Sequence, residues 1–237
     1  MNLAVLTQII KVTETNWRFI FEDPLLDRIS FIPGQLIQLL AKPGEEDAVI
    51  RNYSVASWPD GTNKLELIIT YLEGGKMSEY LFKEAKVGDE FGYRGPMGIF
   101  TLPGDLTQRD IFLVATGSGI SPFRSMLGWI HKNKIPFKSI NLFFGTRTES
   151  DLLYKDEMLK WQSELLNFNY HPILSREKKE GYKHGWVHPH YLEFADLLDE
   201  KPLVYYCGWD RMINNGRKLL ADKGYEMSKD IRVEIFG

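Results

Sequence analysis

One cysteine, Cys207, is all the chain contains, and that scarcity removes several kinds of protein at once. An internal disulfide, a cysteine-rich zinc site and a four-cysteine iron–sulfur cluster are all excluded within these residues. An electron-transfer role would therefore need an organic cofactor or a metal-bearing partner. A basic surplus is missing too: 29 Lys and Arg against 32 Asp and Glu leave a formal charge of −3, which argues against a nucleic-acid surface. No apolar run approaches the ~18 residues of a membrane span. The opening Met1-Asn-Leu-Ala-Val-Leu-Thr7 has neither a charged leader nor a small-residue cleavage site. No signal peptide is expected, and the expected compartment is the cytoplasm. Repeats and low-complexity segments are absent as well. What is present is a globular composition, 43% hydrophobic and 26% charged over 237 residues, a length that suits two domains better than one.

Up to about Phe100 the signals are those of strands and turns. Short β-rich runs (Leu3–Val12, Trp17–Phe21, Leu36–Leu40, Asn52–Ala56, Leu65–Tyr71, Glu90–Tyr93) are separated by Pro-Gly, Asp-Gly and Gly-Gly pairs, which predicts an antiparallel barrel or sandwich. Met77–Ala85 reads as one short helix, and Leu102–Arg109 as a linker. Beyond it the rhythm changes. Apolar runs at Ile111–Ala115, Ile140–Phe144, Asn169–Leu174, Leu203–Cys207 and Ile231–Phe236 alternate with amphipathic stretches, one carrying Tyr154, Met158, Trp161 and Leu165 on a single face. Such alternation predicts a parallel sheet flanked by helices, with ligands beyond the carboxyl ends of its strands.

Three of those strand ends carry suggestive sequence: Thr116-Gly-Ser-Gly119, Gly145-Thr-Arg-Thr148 and Cys207-Gly-Trp-Asp210. At the first, a strand breaks at Gly117 and Gly119 into a helix whose apolar positions are Phe123, Met126, Leu127 and Ile130. The unpaired N–H groups and the dipole of that helix suit a phosphate, although an ordinary strand–helix turn would look the same. A dinucleotide fingerprint would want a third glycine where Pro122 stands. Proline there fits the first helical turn instead. In the first half, Arg51 and Tyr53 share one face of a strand, a guanidinium for phosphate beside an exposed ring for a flat ligand; a plain barrel strand with a surface arginine is the alternative. Gly74-Gly-Lys-Met-Ser78 offers Ser78 as an N-cap and further N–H groups for phosphate, or simply a capped turn.

Taken in order, Pro33-Gly-Gln35, Arg51-x-Tyr-Ser54, Gly75-Lys-Met-Ser78, Arg94-Gly-Pro-Met-Gly-Ile-Phe100, Thr116-Gly-Ser-Gly-Ile-Ser-Pro122 and Cys207-Gly-x-x-x-Met212 resemble the successive motifs of the ferredoxin–NADP reductase superfamily, over nearly the whole chain. That superfamily includes the flavin domains of nitrate reductases and oxygenase reductases. The resemblance implies a flavin-binding antiparallel β-barrel at 1–104 and a Rossmann-like α/β nicotinamide-binding domain at 105–237. It implies FAD rather than FMN, through the turn at Gly75, Lys76, Met77 and Ser78, which would line its pyrophosphate. Arg51 would pair with a flavin phosphate, Tyr53 would stack on the isoalloxazine, and Ser54 would approach N5. Thr116, Gly117, Gly119, Pro122, Gly208 and Met212 would shape the nicotinamide site, with Cys207 near the hydride-bearing carbon.

The ending Ile231–Gly237 is similar to members that close with an aromatic over the flavin. Phe236 would cover the face nicotinamide must reach, and Glu234 would conduct a proton near Ser54. The ending departs in having Phe rather than Tyr, followed by Gly237. Ser175 and Arg176, with Lys178, Lys179, Tyr182 and Lys183 behind them, resemble the ribose 2′-phosphate site of NADPH users; NADPH is the implied donor, with NADH open. His184, His188 and His190 lack a completing carboxylate or thiolate, and no metal is expected. The implied activity is hydride transfer from NAD(P)H to FAD, then electron delivery to a ferredoxin, a flavodoxin or a small-molecule acceptor, by a chain expected to be monomeric. An NAD(P)H-dependent flavin reductase, an oxygenase reductase component and a non-catalytic flavin-binding electron-transfer subunit are the alternatives.

Overall fold

The computed structural model describes residues 1–42 and 44–236; Gly237, noted above as a departure, lies outside the described residues. The chain forms two compact units, Met1–Thr101 with Ser121–Trp129, and Leu102–Ile120 with the residues from Ile130 onward.

In the first unit β1 (Asn2–Lys11), β2 (Asn16–Glu22), β3 (Leu36–Ala41), β4 (Val49–Ser54), β5 (Lys64–Thr70) and β6 (Glu90–Met97) pair antiparallel in the order β4-β3-β6-β1-β2-β5, a sheet curled into a half-barrel. Its core is written in period-two alternation: Phe19 and Phe21 of β2, Leu65, Leu67 and Ile69 of β5, and Phe91 and Tyr93 of β6 all point inward. The helix α1 (Lys76–Lys83) closes it with Met77 and Leu81, one turn apart on the same face. Gly34 of the Pro-Gly-Gln motif has φ +99°, and a Cβ there would stand 2.0 Å from the Phe100 carbonyl oxygen. That contact ties the motif to the Gly-Ile-Phe segment after β6.

In the second unit β7 (Leu106–Thr116), β8 (Phe137–Thr146), β9 (Phe168–Leu174), β10 (Lys183–His184), β11 (Leu203–Trp209) and β12 (Ile231–Phe236) run parallel in the order β10-β9-β8-β7-β11-β12. The chain winds outward from β7 through β8 and β9, then returns to the other side of β7 with β11. The strand order therefore reverses between β7 and β11, where open α/β sheets take their ligands. The helices are α2 (Ile120–Asn133), α3 (Lys155–Glu164), α4 (Val187–Ala195), α5 (Asp210–Asp222) and the short α6 (Met227–Asp230). Tyr191 of α4 and Ile213 and Leu220 of α5 share one apolar cluster with Phe112, Phe143, Val204 and Tyr206 of the sheet.

Several local expectations are corrected. The expected linker is half strand, since β7 begins at Leu106, opposite Phe137, and a bulge separates it from Asp110. The fourth strand starts at Val49, not Asn52, and ends at Ser54. The stretch holding His188 and His190 is helical from Val187; Pro189 lies in the first turn of α4, where the missing N–H costs nothing. Tyr154, counted on a helical face, is instead a left-handed residue (φ +55°) ahead of α3. The two-residue strand β10 was not foreseen.

One half-buried group of the second unit makes stability depend on pH. His171 donates from Nε2 to Asn141 Oδ1 at 3.0 Å and stacks on Phe143 with centroids 4.6 Å apart. Burial, with help from Lys183 and His190, pulls its pKa from 6.5 down to about 4. Between those values the unfolded chain takes up a proton that the native state refuses, so stability falls as pH falls. The expected loss is about 1 to 2 kcal/mol on going from pH 7 to 5. It should be readable as a lower urea midpoint, and His171→Gln should flatten that dependence; parallel slopes for the two proteins would exclude His171 as its source.

Candidate functional site

At the reversal point two strand ends meet backbone to backbone. Gly117 takes φ +54° and starts a tight 3-10 turn, Gly117–Gly119, that delivers the chain into α2. Gly119 lies flat against the end of β11: a Cβ there would be 2.2 Å from the Cys207 carbonyl oxygen and 2.7 Å from the Gly208 nitrogen. From the other side Gly208, at φ +137°, leaves no room either, since its Cβ would be 2.4 Å from Thr116 Oγ1. The Trp209 N–H donates to that same Oγ1 at 3.4 Å. Thr116, Gly117, Gly119, Cys207 and Gly208 thus form one cradle, with α2 and α5 starting from it. Pro122 is buried in the first turn of α2. Met212, expected in the site, is 9% exposed and belongs to the apolar cluster beneath α5.

Cys207 is fully buried, and its neighbours in register are Ala115 on β7 and Glu234 on β12. Its thiol donates weakly to Glu234 Oε1 at 3.9 Å. Burial, and then the charge of Glu234, pushes the thiol well above its ordinary pKa, so it stays a neutral S–H group. Phe236, in register with Trp209, is half-buried at the end of β12.

In the first unit, Arg51, Tyr53 and Ser54 lie on β4, the edge strand of the sheet. Arg51 is exposed, with Nη1 donating to the Ile50 carbonyl at 2.7 Å. Tyr53, expected to be exposed, is half-buried against the barrel core, and burial raises its phenol pKa. Ser54 is buried at 3% exposure. The helix α1 packs beside β4, which brings Gly75, Lys76, Met77 and Ser78 into the same neighbourhood. Ser78 is not the N-cap. That place belongs to Gly75, while the Ser78 hydroxyl closes the preceding loop, donating to the Leu72 and Gly75 carbonyls at 2.9 and 3.0 Å and accepting from Leu72 N–H at 3.1 Å. The Met77 side chain is 2% exposed and belongs to the core. Lys76 is exposed at the start of the helix, where first-turn N–H groups have no intrahelical acceptor.

A third cluster stands at the carboxyl ends of β8 and β9. Ser175 donates from both N and Oγ to the Thr146 carbonyl, at 2.9 and 3.0 Å, and Arg176 N–H donates to the Arg147 carbonyl at 2.9 Å. Sequence reading missed the residue at its centre, Glu149, which takes hydrogen bonds from Lys155, Lys179 and Tyr182. Its only sequence signal is its place just past the Gly145-Thr-Arg-Thr strand end. The three histidines have ordinary partners: His184 Nδ1 donates to the Glu177 carbonyl, His190 Nε2 donates to the His184 carbonyl, and His188 pairs with the Tyr191 hydroxyl. Among the described residues no group of three or more His, Cys, Asp or Glu side chains is placed to hold a metal. No helix among them is long and apolar enough to cross a membrane.

An antiparallel half-barrel carrying Arg-x-Tyr-Ser, joined to a parallel sheet with a glycine cradle at its reversal point, defines a two-domain nucleotide-dependent oxidoreductase. Residues 3–102 match the family described as the oxidoreductase FAD-binding domain, and residues 113–218 match the oxidoreductase NAD-binding domain. Ferredoxin--NADP reductase B of Sorangium cellulosum is 35% identical over 213 residues, covering 87% of this chain and 85% of that protein. The anthranilate 1,2-dioxygenase electron transfer component of Acinetobacter baylyi is 33% identical over 187 residues, 78% of this chain but only 52% of that protein, so the chain spans about half the length of that relative. A ferredoxin NADP+ reductase from Neisseria gonorrhoeae, solved with bound FAD and NADP, superposes with a TM-score of 0.80 at 23% identity, covering 98% of this chain and 97% of that one. The chain belongs to the ferredoxin–NADP reductase superfamily of FAD- and nicotinamide-dependent oxidoreductases.

Proposed function

We propose that this protein is an FAD-containing reductase that takes hydride from NAD(P)H and passes electrons to a ferredoxin- or flavodoxin-type acceptor. The observation that carries the reading is the cradle at Gly119 and Gly208, where the ends of β7 and β11 close backbone to backbone beside the N-terminus of α2, a place suited to phosphate. Bound flavin supplies the two-electron chemistry, which belongs to the cofactor. The chain's own residues bind and orient. Arg51 and Lys76 hold phosphate, Tyr53 flanks the ring system, and Ser54 holds a proton toward it. Gly75, Met77 and Ser78 contribute through the backbone at the start of α1. Thr116, Gly117, Gly119, Pro122 and Gly208 shape the nicotinamide site, Met212 supports it from the apolar cluster beneath α5, and Ser175 and Arg176 form its adenosine end. Cys207 excludes water as a neutral group, Glu234 passes the proton, and Phe236 yields its place to the nicotinamide. The functional division of the chain is put at 104/105.

Relatives named as electron transfer components of dioxygenases favour a second acceptor class, an oxygenase partner. With one cysteine among these 237 residues, any four-cysteine iron–sulfur centre that receives the electrons lies outside them. The reading takes the protein to work as a cytoplasmic monomer.

The purified protein is expected to be yellow, or to bind FAD in titration if isolated colourless; refusal of both FAD and FMN would end the proposal. Ser54→Ala is expected to keep full flavin content while slowing reduction of the bound flavin about 100-fold, the scale of a positioned proton donor. Stopped-flow absorbance under anaerobic NADPH or NADH measures this, and equal rates for variant and wild type would remove Ser54 from the mechanism.

A further inference from the structure

The Glu149 cluster is more than a tether for the loop after β9. Its carboxylate accepts from Lys155 Nζ at 2.7 Å, from Tyr182 Oη at 2.5 Å and from Lys179 Nζ, and its own N–H donates to Glu177 Oε2 at 2.8 Å. Those bonds, Lys155 first, hold the Glu149 carboxyl down at about 2, so it is ionised at any working pH. Beside it, Arg147 and Arg176 are exposed, and among the described residues neither guanidinium has an ion-pair partner. Four cations therefore surround two carboxylates at the carboxyl edge of β8 and β9, on the side of the sheet where ligands bind.

The two nicotinamide donors differ by one phosphomonoester, which carries about −1.5 to −2 charges at neutral pH. An arriving phosphate would find the arginines open, but both lysines and the phenol already held by an internal anion. Resting on the nucleotide site proposed above, we infer that Glu149 determines donor specificity: its carboxylate takes the lysine and tyrosine donors that a ribose 2′-phosphate would use, repels that phosphate, and holds down the preference for NADPH over NADH. The residue acts as a built-in competitor for the phosphate. Its side chain is 24% exposed, so an uncharged substitute meets no burial penalty.

The test is calorimetric titration of the FAD-loaded protein with 2′,5′-ADP and with 5′-AMP, comparing wild type with Glu149→Gln, Glu149→Ser and Glu149→Asp. Removing one like charge at this range, under screening between bulk water and a protein surface, corresponds to about tenfold in affinity. Glu149→Gln and Glu149→Ser should bind 2′,5′-ADP about tenfold tighter with 5′-AMP changed less than about twofold, and Glu149→Asp should follow wild type. In steady state the ratio of kcat/KM for NADPH to that for NADH should rise by the same factor, through KM. An unchanged affinity for 2′,5′-ADP, or equal shifts for both nucleotides, would overturn the inference while leaving the site in place. Failure of wild type to bind either nucleotide would overturn the site itself, and the specificity role with it.

Discussion

Glu66→Ala is expected to destabilise the first unit by about 3 to 5 kcal/mol, the scale of breaking a buried ion pair from one side. Glu66 points from β5 to the face opposite the barrel core and is 6% exposed. Its carboxylate takes a two-pronged bond from Arg18, Nε to Oε1 at 3.0 Å and Nη2 to Oε2 at 2.6 Å, and lies 3.2 Å from Arg124 Nη1. The two arginines are not equivalent. The Arg18 side chain is 28% exposed and can turn to water, whereas that of Arg124 is 8% exposed. Arg124 also donates to the Ala56 carbonyl at 2.8 Å and lies 5.1 Å from the Trp58 ring. That ring packs on α2 so closely that a Cβ on Gly128 would be 2.1 Å from it. Alanine at 66 takes the carboxylate away from the enclosed Arg124 cation, while Arg18→Ala breaks a partly solvated pair worth about 1 kcal/mol. Urea unfolding of the two variants should separate by several kcal/mol. A cost below about 1 kcal/mol for Glu66→Ala would show that Arg124 escapes to solvent and that the buried network does not hold this face.

That network also marks where reading the sequence stopped. Strand alternation is legible because a half-buried strand must repeat its apolar side every second residue, and Phe19 and Phe21 say so locally. The change of rhythm after Phe100 is legible for the same reason, and with it the two-part architecture. A buried Glu66–Arg124 pair leaves no such trace, because both residues look like surface charges until helix and strand are brought together. The edge strand β4 was misplaced because its exposed, polar residues lack alternation. Ser78 was misread because a hydroxyl three residues into a helix and one at its N-cap look alike before the Leu72 carbonyl comes within reach. Tyr154 was misread because helical spacing counts side chains and says nothing about a positive φ. In the candidate site the glycines announce a turn. That the turn presses on Cys207 follows only from the strand order, which puts β11 beside β7 across many intervening residues.

Gly119→Ala is expected to abolish reduction by NAD(P)H, a loss of about 100-fold or more, with flavin content retained. The reason is space rather than conformation. Gly119 has φ −61°, which alanine adopts freely, but its Cβ would lie 2.2 Å from the Cys207 oxygen, 2.5 Å from the Cys207 carbonyl carbon and 2.7 Å from the Gly208 nitrogen. All three contacts are backbone, so no side chain can turn aside and the end of β11 must move. Overpacking of this kind costs about 1 to 3 kcal/mol, and a misplacement of about 1 Å at a reacting centre costs about 100-fold in rate. Gly117→Ala is the informative contrast. Its φ of +54° is strained for alanine, but the nearest atom to its Cβ would be Trp209 Nε1 at 3.8 Å, an ordinary contact. It should lose about 1 to 2 kcal/mol of stability and keep most of its rate. Thermal unfolding and anaerobic stopped-flow on the two variants separate strain from crowding. If Gly119→Ala were reduced as fast as wild type, the cradle between β7 and β11 would not be where the nicotinamide binds.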